Sequence, residues 1–346
     1  MTEYMKFPVL LPLMLLASLS LGAQGYVESV PDAQPLVSIR PDKTVLLYPK
    51  GQAAGEGIVE DGVIVTFGPQ EDNALRGPET CSATGSRRNV GDDARIDLYF
   101  PEHCNGQMVM ITPGGGYEHL STYNEGVYGA KWLTERGIAA CVLKYRMPNK
   151  HTTVPLDDLQ NAMRYLRYHA KEWDIRQIGV MGGSAGGHLS SSASTMYVDQ
   201  ITRPDFAVLL YPRISLYKGE STSTKNCLIG RDEEWADRPE EHAALLKKYS
   251  PDTHISSNTP PTLIVLSVDD DSVNPRNYLP YYTRLTECGV PVEVHIFPKG
   301  GHGWGQSSED IVGKGKDKFA KYRPEFDIIL DRWLSEQLEK ATDSAM

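Results

Sequence analysis

The sequence predicts an α/β fold, a mostly parallel central sheet with helices on both faces. Two observations carry that expectation. Apolar runs of strand length recur along the chain, and between most of the later runs lie segments whose apolar residues follow helical spacing. The runs fall at 63–67, 96–100, 108–112, 138–145, 178–181, 207–211, 263–268 and 292–297. The helical segments include EGVYGAKWLTERG at 125–137, PLDDLQNAMRYLRYHAKEW at 155–173 and PRNYLPYYTRLTECG at 275–289. The first two runs have no helix between them and are expected to pair antiparallel at one edge.

Size and charge narrow the reading further. The 346 residues, 40% of them hydrophobic, suffice for one large α/β domain. A formal net charge of −10, with no extended Lys/Arg stripe, would repel a phosphate backbone, so nucleic acid is excluded as a partner. Lys6 followed by an apolar stretch at 9–16 and the small residues Gly22 and Ala23 reads as a secretory signal peptide over 1–23. That stretch is too short for a comfortable membrane span, so a secreted or periplasmic protein is expected, with no membrane association after cleavage. Residues 24–60, rich in Pro, Gly and Asp, are expected to wrap the surface, and 61–340 to form the catalytic domain. The polar stretch 213–260, with RPEEHAALLKKYSPD inside it, is expected to be an ordinary connecting helix and loop. Five scattered cysteines show no framework spacing. No H-E-x-x-H or other ligand spacing appears, so neither metal nor other cofactor is expected.

In parallel sheets ligands bind beyond the carboxyl ends of the strands, and three segments place reactive residues there. IGVMGGSAGGHLSS at 178–191 fits G-x-S-x-G, a strand-to-helix corner that exposes a serine, here Ser184. A phosphate loop would need a Gly-Lys-Ser/Thr ending, which is absent. GGHGW at 300–304 follows the last apolar run and offers His302 on a glycine-flanked loop. LIVLSVDDDSVNP supplies three aspartates between serine and histidine, and Ser, acid, His is the chain order of an α/β-hydrolase triad. Adjacent residues leaving a strand point in opposite directions, so only one of Asp270 and Asp271 can face His302. After the run at 108–112, Gly114, Gly115 and Gly116 allow a substrate carbonyl close to the backbone. The N–H groups of Gly115, Gly116 and Ala185 are the expected oxyanion donors. Tyr117, Glu118 and Trp304 are candidates for lining a sugar or acyl pocket. His188, on the helix after Ser184, is assigned a structural role, because the serine hydroxyl points away from that helix.

TPGGGY, LKYRMP, MGGSAGGHLSS, DDDSVNPRNY and VEVHIFPKGGHGWG together resemble the α/β-hydrolase superfamily, within it the secreted bacterial carbohydrate esterases of the acetyl xylan esterase and feruloyl-esterase-like branch. The resemblance spans roughly 90–338. It implies Ser184 as nucleophile, His302 as base, Gly115 and Gly116 in the oxyanion loop, and an acylated carbohydrate as substrate. The family's offsets place the acid at Asp270, whereas counting back from Pro275 favours Asp271. Two positions depart from the family pattern: Pro113 stands where a histidine often precedes the glycines, and Asn274 where a proline often follows the acid. A feruloyl esterase, a peptidase on the same fold, and a binding protein that has lost the chemistry are the alternatives.

Overall fold

The computed structural model describes residues 39–48, 78–91, 94–217 and 222–343, together with short strands at 26–28, 58–60 and 63–66. The central sheet has eight strands: β1 Lys43–Leu46, β2 Arg95–Tyr99, β3 Gln107–Thr112, β4 Ala139–Lys144, β5 Gln177–Gly183, β6 Ala207–Leu210, β7 Thr262–Ser267 and β8 Val292–Phe297. Across the sheet they run β1-β2-β4-β3-β5-β6-β7-β8. Strands β3 to β8 are parallel, while β2 pairs antiparallel with β4 and β1 antiparallel with β2. The helices are α1 Tyr128–Thr134, α2 Val154–His169, α3 Ser184–Thr195, α4 Ser223–Leu228, α5 Pro239–Lys248, α6 Leu279–Glu287, α7 Glu309–Val312 and α8 Arg323–Asp343. This is the α/β-hydrolase fold.

Every residue of β3, β4, β5 and β7 is buried, which is why these strands read as nearly unbroken apolar runs rather than as alternating ones. The chain winds from β3 out to β4 and then returns past β3 to β5. The order of the strands therefore reverses between β3 and β5, opening a crevice at their carboxyl ends. Helix α3 leaves that crevice along the sheet and is buried from Ala185 to Ser194. Its run of small residues lets it lie close, and the buried hydroxyls of Ser191 and Ser194 donate back to the carbonyls of Gly187 and Ser190, each at 2.8 Å.

The antiparallel edge is built differently from the sequence expectation. Val63–Thr66 pairs with Ile58–Glu60 in a separate two-stranded ladder, and the sheet's edge strand is Lys43–Leu46. It comes from the segment expected only to wrap the surface. With four residues, none of them fully buried, it leaves no hydrophobic pattern to read. The segment is also tied inward just after the strand: the Tyr48 hydroxyl donates to Asp158 at 2.6 Å, and Asp158 is fully buried in an ion pair with Arg146 at 2.6 Å. The expected signal peptide lies outside the described residues. Among those residues, which include all five cysteines, no disulfide forms.

Candidate active site

Ser184 stands at the turn from β5 into α3 with φ of +54°, a left-handed conformation that costs a non-glycine residue of order 1–3 kcal/mol. The flanking glycines are needed for contact rather than for unusual dihedrals. A Cβ on Gly186 would lie 1.9 Å from the carbonyl oxygen of Thr112, and one on Gly182 would lie 2.3 Å from the carbonyl of Gly186. The corner closes only because β5, α3 and the end of β3 touch backbone to backbone.

His302 lies on the loop after β8, between Gly301 and Gly303, both at positive φ. The Ser184 hydroxyl donates to its Nε2 at 2.8 Å, and its Nδ1 donates to Asp270 Oδ2 at 2.7 Å. The imidazole tautomer follows from that second bond, because an ionised carboxylate only accepts. The other Asp270 oxygen accepts from the N–H groups of Ser272 and Val273, each at 2.9 Å. Burial pushes the Asp270 carboxyl upward, but its bonds to His302, Val273 and Ser272 prevail and hold it below the usual aspartate value. Asp271 is exposed and bonds only the Ser272 hydroxyl, whereas Asp269 accepts the Gly301 N–H at 2.9 Å and so anchors the histidine loop. The alternative register, with Asp271 facing the histidine, is not the one adopted.

The glycine-rich loop after β3 is positioned by residues that sequence reasoning did not single out. Glu125, on a wide π-type turn at Tyr123–Val127, accepts the Gly114 N–H at 2.9 Å and the Tyr211 hydroxyl at 2.8 Å. The Tyr145 hydroxyl donates to the carbonyl of Pro113 at 2.7 Å. The glycine-rich loop is thus braced from outside. Gly114 spends its N–H on Glu125, while among the described residues those of Gly115 and Gly116 have no partner. The Ala185 N–H, in the first turn of α3, has no intrahelical partner either. Burial raises the Glu125 carboxyl above its ordinary value, although Tyr211, His302 and Gly114 pull it back. Tyr211 follows β6 at positive φ, its ring edge-on to His302 with centroids 4.9 Å apart, and its oxygen accepts the Gly305 N–H at 2.8 Å. Glu125 and Tyr211 therefore link the glycine-rich loop to the histidine loop. The only sequence signal for Tyr211 was its place at the end of the apolar run 207–211, and Glu125 gave none.

A cavity of about 370 Å³ opens over Ser184 and His302, lined also by Gly115, Gly116, Glu118 and Glu125. Thr222, Ser223 and Thr224 form part of its wall. The stretch 213–260, expected as a plain connection, thus sends the start of α4 into the site. Trp304 departs from expectation as well: it is 1% exposed and stacks on Phe319 at 4.2 Å, a core residue rather than a pocket wall. Tyr117 is buried and its hydroxyl donates to His188 Nδ1 at 3.0 Å, while His188 Nε2 donates to the Tyr249 carbonyl at 2.8 Å. Both nitrogens of His188 are engaged away from Ser184, and its role is structural.

Residues 96–279 match the BD-FAE family model. The chain is 36% identical over 224 residues to an acetylxylan esterase of Xylanibacter ruminicola, covering 63% of this chain and 45% of that protein. It is 29% identical over 266 residues to endo-1,4-beta-xylanase B of Butyrivibrio fibrisolvens, covering 68% of this chain and 40% of that one. The chain thus spans less than half the length of these curated relatives. Among solved structures, an acetyl ester-xyloside bifunctional hydrolase from Caldicellulosiruptor lactoaceticus aligns with a TM-score of 0.64 at 29% identity, over 86% of this chain and 97% of that one.

Proposed function

The chain belongs to the BD-FAE family of α/β-hydrolases, and on that footing we propose that it is a serine esterase that removes acetyl or another small acyl group from a polysaccharide or its oligosaccharides. The observation that carries this reading is the hydrogen-bonded chain Ser184–His302–Asp270, with links of 2.8 and 2.7 Å, at the floor of an open cavity. Ser184 Oγ attacks the ester carbonyl carbon while its proton passes to His302 Nε2, and Asp270 stabilises the imidazolium that results. The N–H groups of Gly115, Gly116 and Ala185 receive the oxyanion. The tetrahedral adduct collapses as the bond to the sugar oxygen breaks and His302 returns the proton to that oxygen, releasing the sugar alcohol and leaving an ester on Ser184. Water, deprotonated by His302, then attacks that ester and releases the carboxylic acid with Ser184 restored.

Two observations favour a carbohydrate as the alcohol half. The curated relatives named above are an acetylxylan esterase and a xylanase. The cavity wall carries the hydroxyl residues Ser121, Thr222, Ser223, Thr224 and Ser272, suited to a polyol rather than to a lipid chain. The test is a comparison of kcat/KM on acetylated xylan, other acetylated glycans, methyl ferulate and aminoacyl anilides. Acetylated glycans are expected to be turned over fastest, and faster hydrolysis of the anilides overturns the reading. Ser184→Ala is expected to lower kcat by roughly 10³-fold or more and to abolish labelling by a fluorophosphonate probe.

A further inference from the structure

A second cavity, of about 230 Å³, lies next to the first, and Glu118 lines both. Its other walls include Arg88, Asn89, Tyr117, Met147 and Asn149. Asn89, Tyr117 and Asn149 all have positive φ, at 53°, 60° and 43°. Such backbone is held only where the surroundings over-determine it, and it gathers at sites whose shape is used. The surroundings here do so. Arg88 pairs across a short ladder with His119, itself a wall residue of the first cavity. Asn89 donates to the Pro78 carbonyl at 3.1 Å, the Met147 N–H to Val90 at 3.0 Å and the Lys150 N–H to Cys227 at 2.8 Å. The cavity is thus a pre-formed recess whose walls come from separate parts of the chain.

Its chemistry selects the occupant. Arg88 and the two asparagine amides donate hydrogen bonds, and Glu118 and the asparagine carbonyls accept them. A site with donors and acceptors of both signs suits a neutral polyol, whereas a uronate would meet the Glu118 carboxylate as well as the Arg88 guanidinium and gain no net attraction, and the polar walls would leave an apolar acyl chain poorly solvated. The volume is below the roughly 300–1,000 Å³ of a drug-sized pocket, consistent with one small unit. We infer that this recess is a subsite for the neutral glycosyl residue adjoining the acylated one, so that the substrate is an oligosaccharide or polymer spanning both cavities across Glu118. The inference rests on the esterase reading above and adds to it where the rest of the glycan lies.

The experiment measures kcat/KM on mono-acetylated xylose, mono-acetylated xylotriose and p-nitrophenyl acetate, with the wild type, Arg88→Gln and Asn149→Gly. The glycine variant retains the left-handed backbone while removing the amide, and thermal melting reports on folding. The wild type is expected to prefer the trisaccharide over the monosaccharide, and each variant to reduce that preference by roughly tenfold, the scale of one lost charged or well-placed hydrogen bond. Equal kcat/KM on the two sugars in the wild type overturns the subsite while leaving the esterase reading intact. So does a preference that survives both folded variants. Turnover of p-nitrophenyl acetate with neither sugar accepted overturns the carbohydrate reading, and the subsite with it.

Discussion

Asp269, Asp270 and Asp271 follow one another in sequence yet meet three different surroundings, and the difference sets what each does. Asp270 faces His302 and is clamped by two backbone N–H groups, so Asp270→Asn keeps the shape but offers the imidazole the wrong partner. Its kcat is expected to fall by up to about 10⁴-fold, whereas exposed Asp271→Asn should cost little. A dead Asp271→Asn beside an active Asp270→Asn would exchange their roles. Glu125 is a positioning residue: Glu125→Gln leaves one good acceptor for the two donors of Gly114 and Tyr211. A loss of roughly tenfold in kcat is expected, with KM changed less, because the contact orients the glycine-rich loop. Steady-state kinetics on a small acetyl ester decide it, and an increase confined to KM would argue against the assignment.

At the scale of the element, the corner between β5 and α3 is set by close approach. The contact of 1.9 Å that a Cβ on Gly186 would make is to the backbone of Thr112, which cannot rotate away. Gly186→Ala must therefore push α3 off β3, and a loss of at least about 2 kcal/mol in urea unfolding is expected, the scale of a forced core rearrangement. Activity should fall with it, since Ser184 moves with the helix. Unfolding at the wild-type midpoint would show that the helix yields at no cost. The same helix explains His188. Its two neighbours, Tyr117 from the glycine-rich loop and Tyr249 from the end of α5, meet across it, so the imidazole ties α3 to both.

At the scale of the whole molecule, that buried imidazole makes stability depend on pH. Burial lowers His188 from histidine's ordinary value near 6.5 to about 4. Between those values the unfolded chain takes up a proton that the folded chain refuses, so stability is lost as pH falls from about 6.5 to about 4 and changes no further through this group below it. The shift corresponds to a loss on the order of 3 kcal/mol. Asp270, held below its ordinary value, withdraws stability in the same direction at lower pH still. Urea midpoints across this range should show the slope in the wild type and a shallower one in His188→Gln; equal slopes would remove His188 as the cause. The N-terminal edge is coupled to the core in another way: Tyr48→Phe should cost roughly 1.5–3 kcal/mol, because it removes a hydrogen bond to the buried Asp158 carboxylate. The sequence by itself determined the succession of buried strands along the chain, the corner at Ser184, the loop at His302 and the glycine run at 114–116, because each is written in adjacent residues whose spacing reflects local geometry. Only the tertiary structure decided which aspartate turns inward, that Lys43–Leu46 rather than Val63–Thr66 completes the sheet, that Trp304 packs inside, and that Glu125 and Tyr211 join two loops. Those outcomes depend on what a side chain meets from a distant part of the chain, and no local pattern records that meeting.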